Sequence, residues 1–254
     1  MELVYPPVIG AAKLMFRALG LRITVTGAEN IPRTGGAVLA SNHVSYLDFI
    51  FCGLAGVQRK RLTRFMAKQE VFAHPVGGPL MRGMHHIPVD RSAGSGSFRE
   101  AMKALKQGEV VGVFPEATIS RSFTVKEIKS GAVRLAMATG TPLIPVALWG
   151  GQRIFSKGLP RDFRTRGRAL TIAVGEPMYP TRADDADLLT VELRERMQEL
   201  LDHAQKTHPD QPEPGQDAPW HPRHLGGSAP TPDEARELDR AEQAARAAKR
   251  RRKS

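Results

Sequence analysis

The stretch Ala37-Val38-Leu39-Ala40-Ser41-Asn42-His43-Val44-Ser45-Tyr46-Leu47-Asp48 decides how this chain is read. Ala37 to Ala40 is a short apolar run of the kind found in a buried strand, and Phe49 to Val57 is an apolar segment long enough for a helix. His43 therefore stands at the carboxyl end of a strand, where open α/β sheets place their ligands. Asp48 falls in the first turn of the following helix, where the positive helix end favours a carboxylate. The turn between them can bring that carboxylate back onto the imidazole, which is the first half of a general-base site.

Working outward, Leu21 to Thr26 alternates apolar and polar residues and is expected as a strand, separated from the central stretch by a turn cluster at Pro32 to Gly36. Further strands are expected near Leu62 to Ala67, ending at Lys68, and at Ile87 to Arg91, Val110 to Phe114, Leu143 to Leu148 with an interruption at Pro145, and Leu170 to Val174. Helices are expected at Phe98 to Lys106, capped by Ser97, at Ser130 to Thr139, capped by Gly140, and at Asp184 to Lys206. His74 to Gly83, rich in Pro and Gly, reads as irregular. Strands and helices that alternate in this way predict an α/β fold with a largely parallel sheet flanked by helices.

Residues 1–20 form a separate amphipathic element. Val8, Ile9, Ala12, Met15, Phe16 and Leu19 recur at helical spacing, and only Lys13 and Arg17 between Val8 and Leu21 are charged. A helix lying in a membrane interface has this pattern, and so does a helix packed on a core. No run of 18 apolar residues occurs, so no transmembrane helix is expected. The amino terminus lacks the pattern of a cleavable signal peptide, which makes the cytoplasmic face of the membrane the expected location of a peripheral protein.

The formal net charge of +11 favours a polyanionic partner: an anionic lipid surface, a phosphorylated small molecule or nucleic acid. Residues 205–254 hold 10 Lys/Arg and 8 Asp/Glu, which leaves 27 against 18 in the rest, so the excess lies in the folded part. Around Arg59, Lys60, Arg61, Arg64 and Lys68 the only aromatic is Phe65, too few to stack bases, and nucleic acid is not expected. The single cysteine, Cys52, excludes an intrachain disulfide and reads as core; His85 and His86 lack neighbours at metal spacing and read as lone surface histidines. Domain 21–206 is followed by a tail, 207–254, in which Pro and Gly dominate from His208 to Pro232 and predict a flexible linker. A helix starting at Thr231-Pro232-Asp233-Glu234 and running to Ala248 has no apolar stripe and is expected to fray or to fold on a partner, and Lys249 to Lys253 is a basic run suited to solubility or to an anionic bilayer.

Three other strand ends carry polar features in step with His43 and Asp48: Asp90-Arg91, Glu116 to Arg121, and Pro145 to Gly150. Together they resemble the four-block signature of the glycerolipid acyltransferases, whose bacterial type member makes phosphatidic acid from lysophosphatidic acid. Asn42 to Asp48 matches the first block in full, Ile87-Pro88-Val89-Asp90-Arg91 the second, Phe114 to Ser120 the third, and Leu143 to Gly150 the fourth; Lys129-Ser130-Gly131-Ala132 fits the segment after the third. The resemblance covers roughly residues 8–180 and implies direct acyl transfer from a thioester, acyl-CoA or acyl-carrier protein, to the hydroxyl of a phosphorylated glycerolipid, with no acyl-enzyme, no metal and no cofactor. It implies His43 as base and Asp48 as its partner. Arg91, Glu116, Thr118, Ser120, Arg121 and Lys68 are expected on the substrate side.

At two positions the chain departs from the family pattern. The glycine of the third block is Ala117, and its arginine, associated with the acceptor phosphate, is Ile119. An isoleucine cannot hold phosphate, so Arg121, Lys68 or Lys126 must substitute. Acceptors other than lysophosphatidic acid, such as glycerol 3-phosphate or another lysophospholipid, therefore stay open, and a basic lipid- or nucleic-acid-binding module is the competing non-enzyme class.

Overall fold

The computed structural model describes residues 2–89 and 96–251. Its centre is β2 (Ala37–Ser41), every residue of which is buried. Val38 and Ala40 point into one apolar cluster while Ala37 and Leu39 point into the other, as the two-residue period of a strand requires. Both faces of the strand are covered, and this explains why its sequence is uniformly apolar.

Among the described residues the sheet has seven strands in the order β1-β7-β6-β2-β5-β3-β4, with β1 at Arg22–Thr26, β3 at Thr63–Lys68, β4 at Ile87–Val89, β5 at Val110–Val113, β6 at Leu143–Trp149 and β7 at Ala169–Val174. All pairs are parallel except β6 with β7. β2 lies between β5 and β6, so the loops after β2 and β5 leave neighbouring strands at the same sheet end and can meet. Pro145 does not interrupt β6. The amide of Leu143 and the carbonyl of Pro145 both bond toward the Gly175 to Met178 segment, so the missing proline N–H falls on that side, and the β7 ladder starts only at Val146 opposite Val174.

One face carries α5 (Gly96–Lys106), α6 (Gly131–Thr139) and α7 (Ala186–Thr207), the last capped by the Asp185 carboxylate on the amides of Asp187 and Leu188. The other carries α1 (Tyr5–Ala18) and α2 (Asp48–Gln58), whose Phe16, Phe51 and Cys52 fill the core there. The core reading of Cys52 holds: burial pushes its thiol up to about 12. The stretch expected to be irregular instead contains α4 (Gly77–Gly83), preceded by the short α3 (Gln69–Phe72). Pro79 lies in the first turn of α4, where its missing N–H costs nothing, and a side chain at Gly78 would collide with the Phe72 carbonyl. His86 is not a surface histidine. It is buried, its Nδ1 accepts the Phe65 amide at 3.0 Å, and burial beside Arg64 holds it down at about 4.

The three arginines of the basic cluster after α2 are spent internally, while Lys60 and Lys68 are exposed. Arg59 donates to the Ile31 carbonyl, Arg61 to the carbonyls of Pro32, Gly35 and Gly108, and Arg64 is buried against Glu2 and Glu109.

The flexible linker expected over 208–232 is a packed segment instead. His208, Ala218, His221 and Ala229 are buried, Asp210 pairs with Arg22 and Arg153 and accepts the Ala169 amide, and the Arg153 guanidinium lies 4.1 Å over the Trp220 ring. The segment leads into α8 (Pro232–Arg251), which starts with a capping box: Thr231 Oγ1 accepts the Glu234 amide while the Glu234 carboxylate accepts the Thr231 amide. This helix docks on its own chain through a polar face. Ala235 and Asp239 are buried, and Asp239 meets Arg121, Lys126 and Lys157. A search for an apolar stripe misses such a face because charge pairing holds it. Of the basic run, Arg252 and Lys253 lie outside the described residues.

Candidate active site

The site is built where β2 ends. Asn42 extends the β2–β6 ladder by one step with its side chain, which donates to the Leu148 carbonyl at 3.0 Å and accepts the Leu148 amide at 2.7 Å. The chain then turns. Ser45 Oγ donates to the Phe155 carbonyl and accepts the Leu47 amide, so it is a turn residue and no nucleophile.

Asp48 opens α2 and points back across this turn. One carboxylate oxygen, Oδ2, takes His43 Nδ1 at 2.9 Å, the Val44 amide at 2.6 Å and the Ser45 amide at 2.7 Å. Asp48 is fully buried, and desolvation raises its pKa against the opposing pull of His43, Ser45 and Val44. With an Nδ1–H donated to Asp48, Nε2 of His43 is left free to accept a proton, the tautomer a general base needs. His43 is half-buried, and its ring stacks on Phe114 at 4.4 Å. Phe114 stacks in turn on Phe65, which packs onto Gly112 of β5 where any side chain would collide with it.

The loop after β5 completes the frame. Glu116 Oε1 accepts the His43 amide at 2.8 Å and Oε2 accepts the Lys126 amide at 3.1 Å. Burial pushes this carboxyl up to about 8 although both amides and Lys126 pull it down. The Ser120 amide donates to the His43 carbonyl at 2.7 Å, and the buried Ser120 hydroxyl donates to the Thr124 carbonyl. Glu116 and Ser120, expected on the substrate side, thus spend their polar atoms inside the protein. Their work is to clamp the main chain of His43 from both sides.

Ala117 sits at φ 60°, the left-handed region where the family pattern has glycine. A Cβ there costs ~1–2 kcal/mol, only partly offset by the smaller entropy alanine loses on folding. Ala117→Gly is expected to stabilise the chain by about 1 kcal/mol, read as a shift of the urea midpoint at unchanged slope.

Ile119 is buried at 4% exposure, so the position of the family arginine has joined the core. The remaining expected residues fall as follows. Thr118 Oγ1 accepts Lys126 Nζ at 2.7 Å, Arg121 lies beside it in the same loop, Lys68 is exposed at the end of β3, and Arg91 lies outside the described residues. Reading the sequence missed Asn42 as a ladder residue and Lys157 as a cation of the site. No spacing signal marked Lys157: it joins Arg121 and Lys126 only because Ser156 donates to the Val44 carbonyl across 112 residues. Among the described residues no group of three His, Cys, Asp or Glu side chains could hold a metal.

The Acyltransferase family model matches residues 22–149, from β1 to the end of β6. The chain is 33% identical over 183 residues to the 1-acyl-sn-glycerol-3-phosphate acyltransferase of Bacillus subtilis, covering 70% of this chain and 84% of that protein. It is 29% identical to the enzyme of the same name from Borreliella burgdorferi, over 58% and 59% of the two chains. The crystal structure of the lysophosphatidic acid acyltransferase of Thermotoga maritima superposes with a TM-score of 0.67 over 81% of each chain at 24% identity, a likeness of fold. With the family model spanning half of the chain and a relative 33% identical over most of both chains, the chain belongs to the acyltransferase family and is an enzyme.

Proposed function

We propose that this enzyme transfers an acyl group from acyl-CoA or acyl-carrier protein to the free hydroxyl of lysophosphatidic acid, giving phosphatidic acid. The observation that carries the reading is the 2.9 Å bond from His43 Nδ1 to Asp48, which aims Nε2 at a substrate. A hydroxyl is too weak an acid to attack at neutral pH, so Nε2 takes its proton as the oxygen closes on the thioester carbonyl. Asp48 steadies the imidazolium; the tetrahedral intermediate then expels the thiolate, which recovers the proton from His43. The transfer is direct and needs no resident cofactor.

Two features support a lipid acceptor on an anionic membrane surface. α1 and α2 border an apolar groove, lined among others by Val8, Ile9, Phe49, Ile50 and Leu54, that starts one residue after Asp48. Leu3 and Leu14 at α1 and Val71, Val76 and Leu80 around α3 and α4 are exposed, and the two elements join through the cluster of Tyr5, Phe72 and Met81. Exposed apolar side chains gathered this way suit a peripheral protein at the cytoplasmic face of a membrane. No helix among the described residues is long and apolar enough to cross one.

Buried Ile119 favours a second reading, transfer to glycerol 3-phosphate or another lysophospholipid. A panel of acceptors assayed with one thioester donor separates them. Lysophosphatidic acid is expected to exceed glycerol 3-phosphate in kcat/KM by at least about tenfold, a margin that two buried methylenes can supply. A preference for glycerol 3-phosphate would reverse the assignment.

A further inference from the structure

Three cations from two loops converge on α8. Asp239 takes Lys157 Nζ at 2.6 Å, Lys126 Nζ at 2.8 Å and Arg121 Nε at 3.2 Å; Glu242 takes Lys157 Nζ at 2.8 Å and Arg121 Nη2 at 2.9 Å. Each cation is next in the chain to a residue that bonds the main chain of the His43 turn, or shares a bridging carboxylate with it. Arg121 follows Ser120, whose amide holds the His43 carbonyl; Lys157 follows Ser156, whose hydroxyl holds the Val44 carbonyl; the Lys126 amide shares Glu116 with the His43 amide. Gly158, at φ 80°, leaves room for the Arg121 guanidinium, because a Cβ there would lie 2.4 Å from its nitrogen.

Two carboxylates present the same charge, about −2, as a phosphomonoester dianion. An arginine fork with two lysines is a phosphate-binding set. Ala235 is the one buried apolar side chain of α8 among the described residues, so the helix is held mainly by these ion pairs, which places it among the elements that open at low cost.

We propose that Arg121, Lys126 and Lys157 form a phosphomonoester site beside His43, and that α8 closes it by placing Asp239 and Glu242 where the phosphate binds. Phosphate and docked α8 exclude one another. The site makes good the arginine lost at Ile119, and the acidic helix sets a threshold that an anionic acceptor must overcome. The assignment to the acceptor rests on the acyltransfer reading above; the exclusion does not.

The test uses the full chain as wild type, as the double variant D239N/E242Q and as K157A. Initial rates are taken over lysophosphatidic acid concentration at saturating thioester and over thioester concentration at fixed acceptor, and inorganic phosphate binding is measured by calorimetry. Removing both competing carboxylates is expected to lower the acceptor KM and the phosphate Kd about tenfold, with the donor KM unchanged; K157A is expected to raise both by a similar factor. Amide exchange along α8 in the wild type is expected to quicken with inorganic phosphate, with glycerol 3-phosphate and with phosphatidic acid vesicles alike.

An unchanged or higher KM and Kd in D239N/E242Q overturns the exclusion. Exchange that quickens only with vesicles overturns it too, in favour of release by a lipid surface. If the wild type fails to acylate lysophosphatidic acid while D239N/E242Q binds phosphate more tightly, the gated site stands and the acceptor assignment falls. If acylation proceeds and neither constant moves, the acceptor reading stands and the gate falls.

Discussion

His43→Ala is expected to lower acyl transfer by about 10³-fold, the range a positioned general base supplies, with thermal stability nearly unchanged. The stability side follows from the structure: the imidazole is half-buried at the sheet end, its ring contact is with Phe114, and its hydrogen-bond partner Asp48 keeps the Val44 and Ser45 amides when the ring is gone. Asp48→Asn is expected to reduce turnover nearly as far by a different route. The Val44 and Ser45 amides hold the oxygen of an amide at position 48 in the place of Oδ2, so the ring keeps its tautomer but loses the negative charge that steadies the imidazolium. Initial rates with a saturating thioester, beside a melting curve for each variant, check both. Near-full turnover in His43→Ala would overturn the assignment of the base.

The second large effect is on stability. Glu116→Ala strands the part-buried amides of His43 and Lys126 at once, and each unpaired donor costs ~1–3 kcal/mol, so a loss of about 2–4 kcal/mol is expected in urea unfolding near pH 7. Turnover should fall with it, because the His43 main chain is then held only at its carbonyl, by the Ser120 amide. Glu116→Gln keeps one acceptor and turns an N–H toward the other amide, and its loss should be roughly half.

The same residue sets a pH dependence. Its carboxyl titrates at about 8 when folded, above the ordinary 4.5, so between those values the folded chain holds a proton that the unfolded chain has lost. Stability from this group is therefore full below 4.5 and disappears as pH rises to 8. His86 and His208, held down at about 4 by burial, run the opposite way but finish near 6.5, where the unfolded histidines are neutral. From pH 6.5 to 8 the Glu116 contribution should fall by about 2 kcal/mol, and Glu116→Gln should remove that part of the slope. A wild type as steep as the Gln variant across this window would contradict it.

Much of this enzyme is legible along the chain because the decisive contacts are local. His43 and Asp48 are five residues apart, the strand before them is apolar on both faces, and the helix after them starts at the aspartate itself, so spacing alone sets the pair. The parallel sheet follows from the alternation of strands and helices, and Gly140, at φ 66°, ends α6 where a glycine is expected to. What was missed has two causes. Pro145, Pro79 and the Pro- and Gly-rich segment 208–231 carry residues that usually break structure, yet each falls where a missing N–H is harmless or where charged partners such as Asp210 pin the chain. α8 lacks an apolar stripe, and only the positions of Arg121, Lys126 and Lys157 make its acidic face a docking face.

The sequence by itself determined the His43–Asp48 pair and the sheet end on which it stands, since neighbours along a chain can meet only in a few ways. The tertiary structure alone decided what surrounds them. Glu116 reaches His43 across 73 residues, Ser156 reaches Val44 across 112, and Lys126 reaches Asp239 across 113. Separations of that size leave no periodicity to read, and the pairing is fixed only when β5, β2 and β6 lie side by side and bring their loops to one end of the sheet.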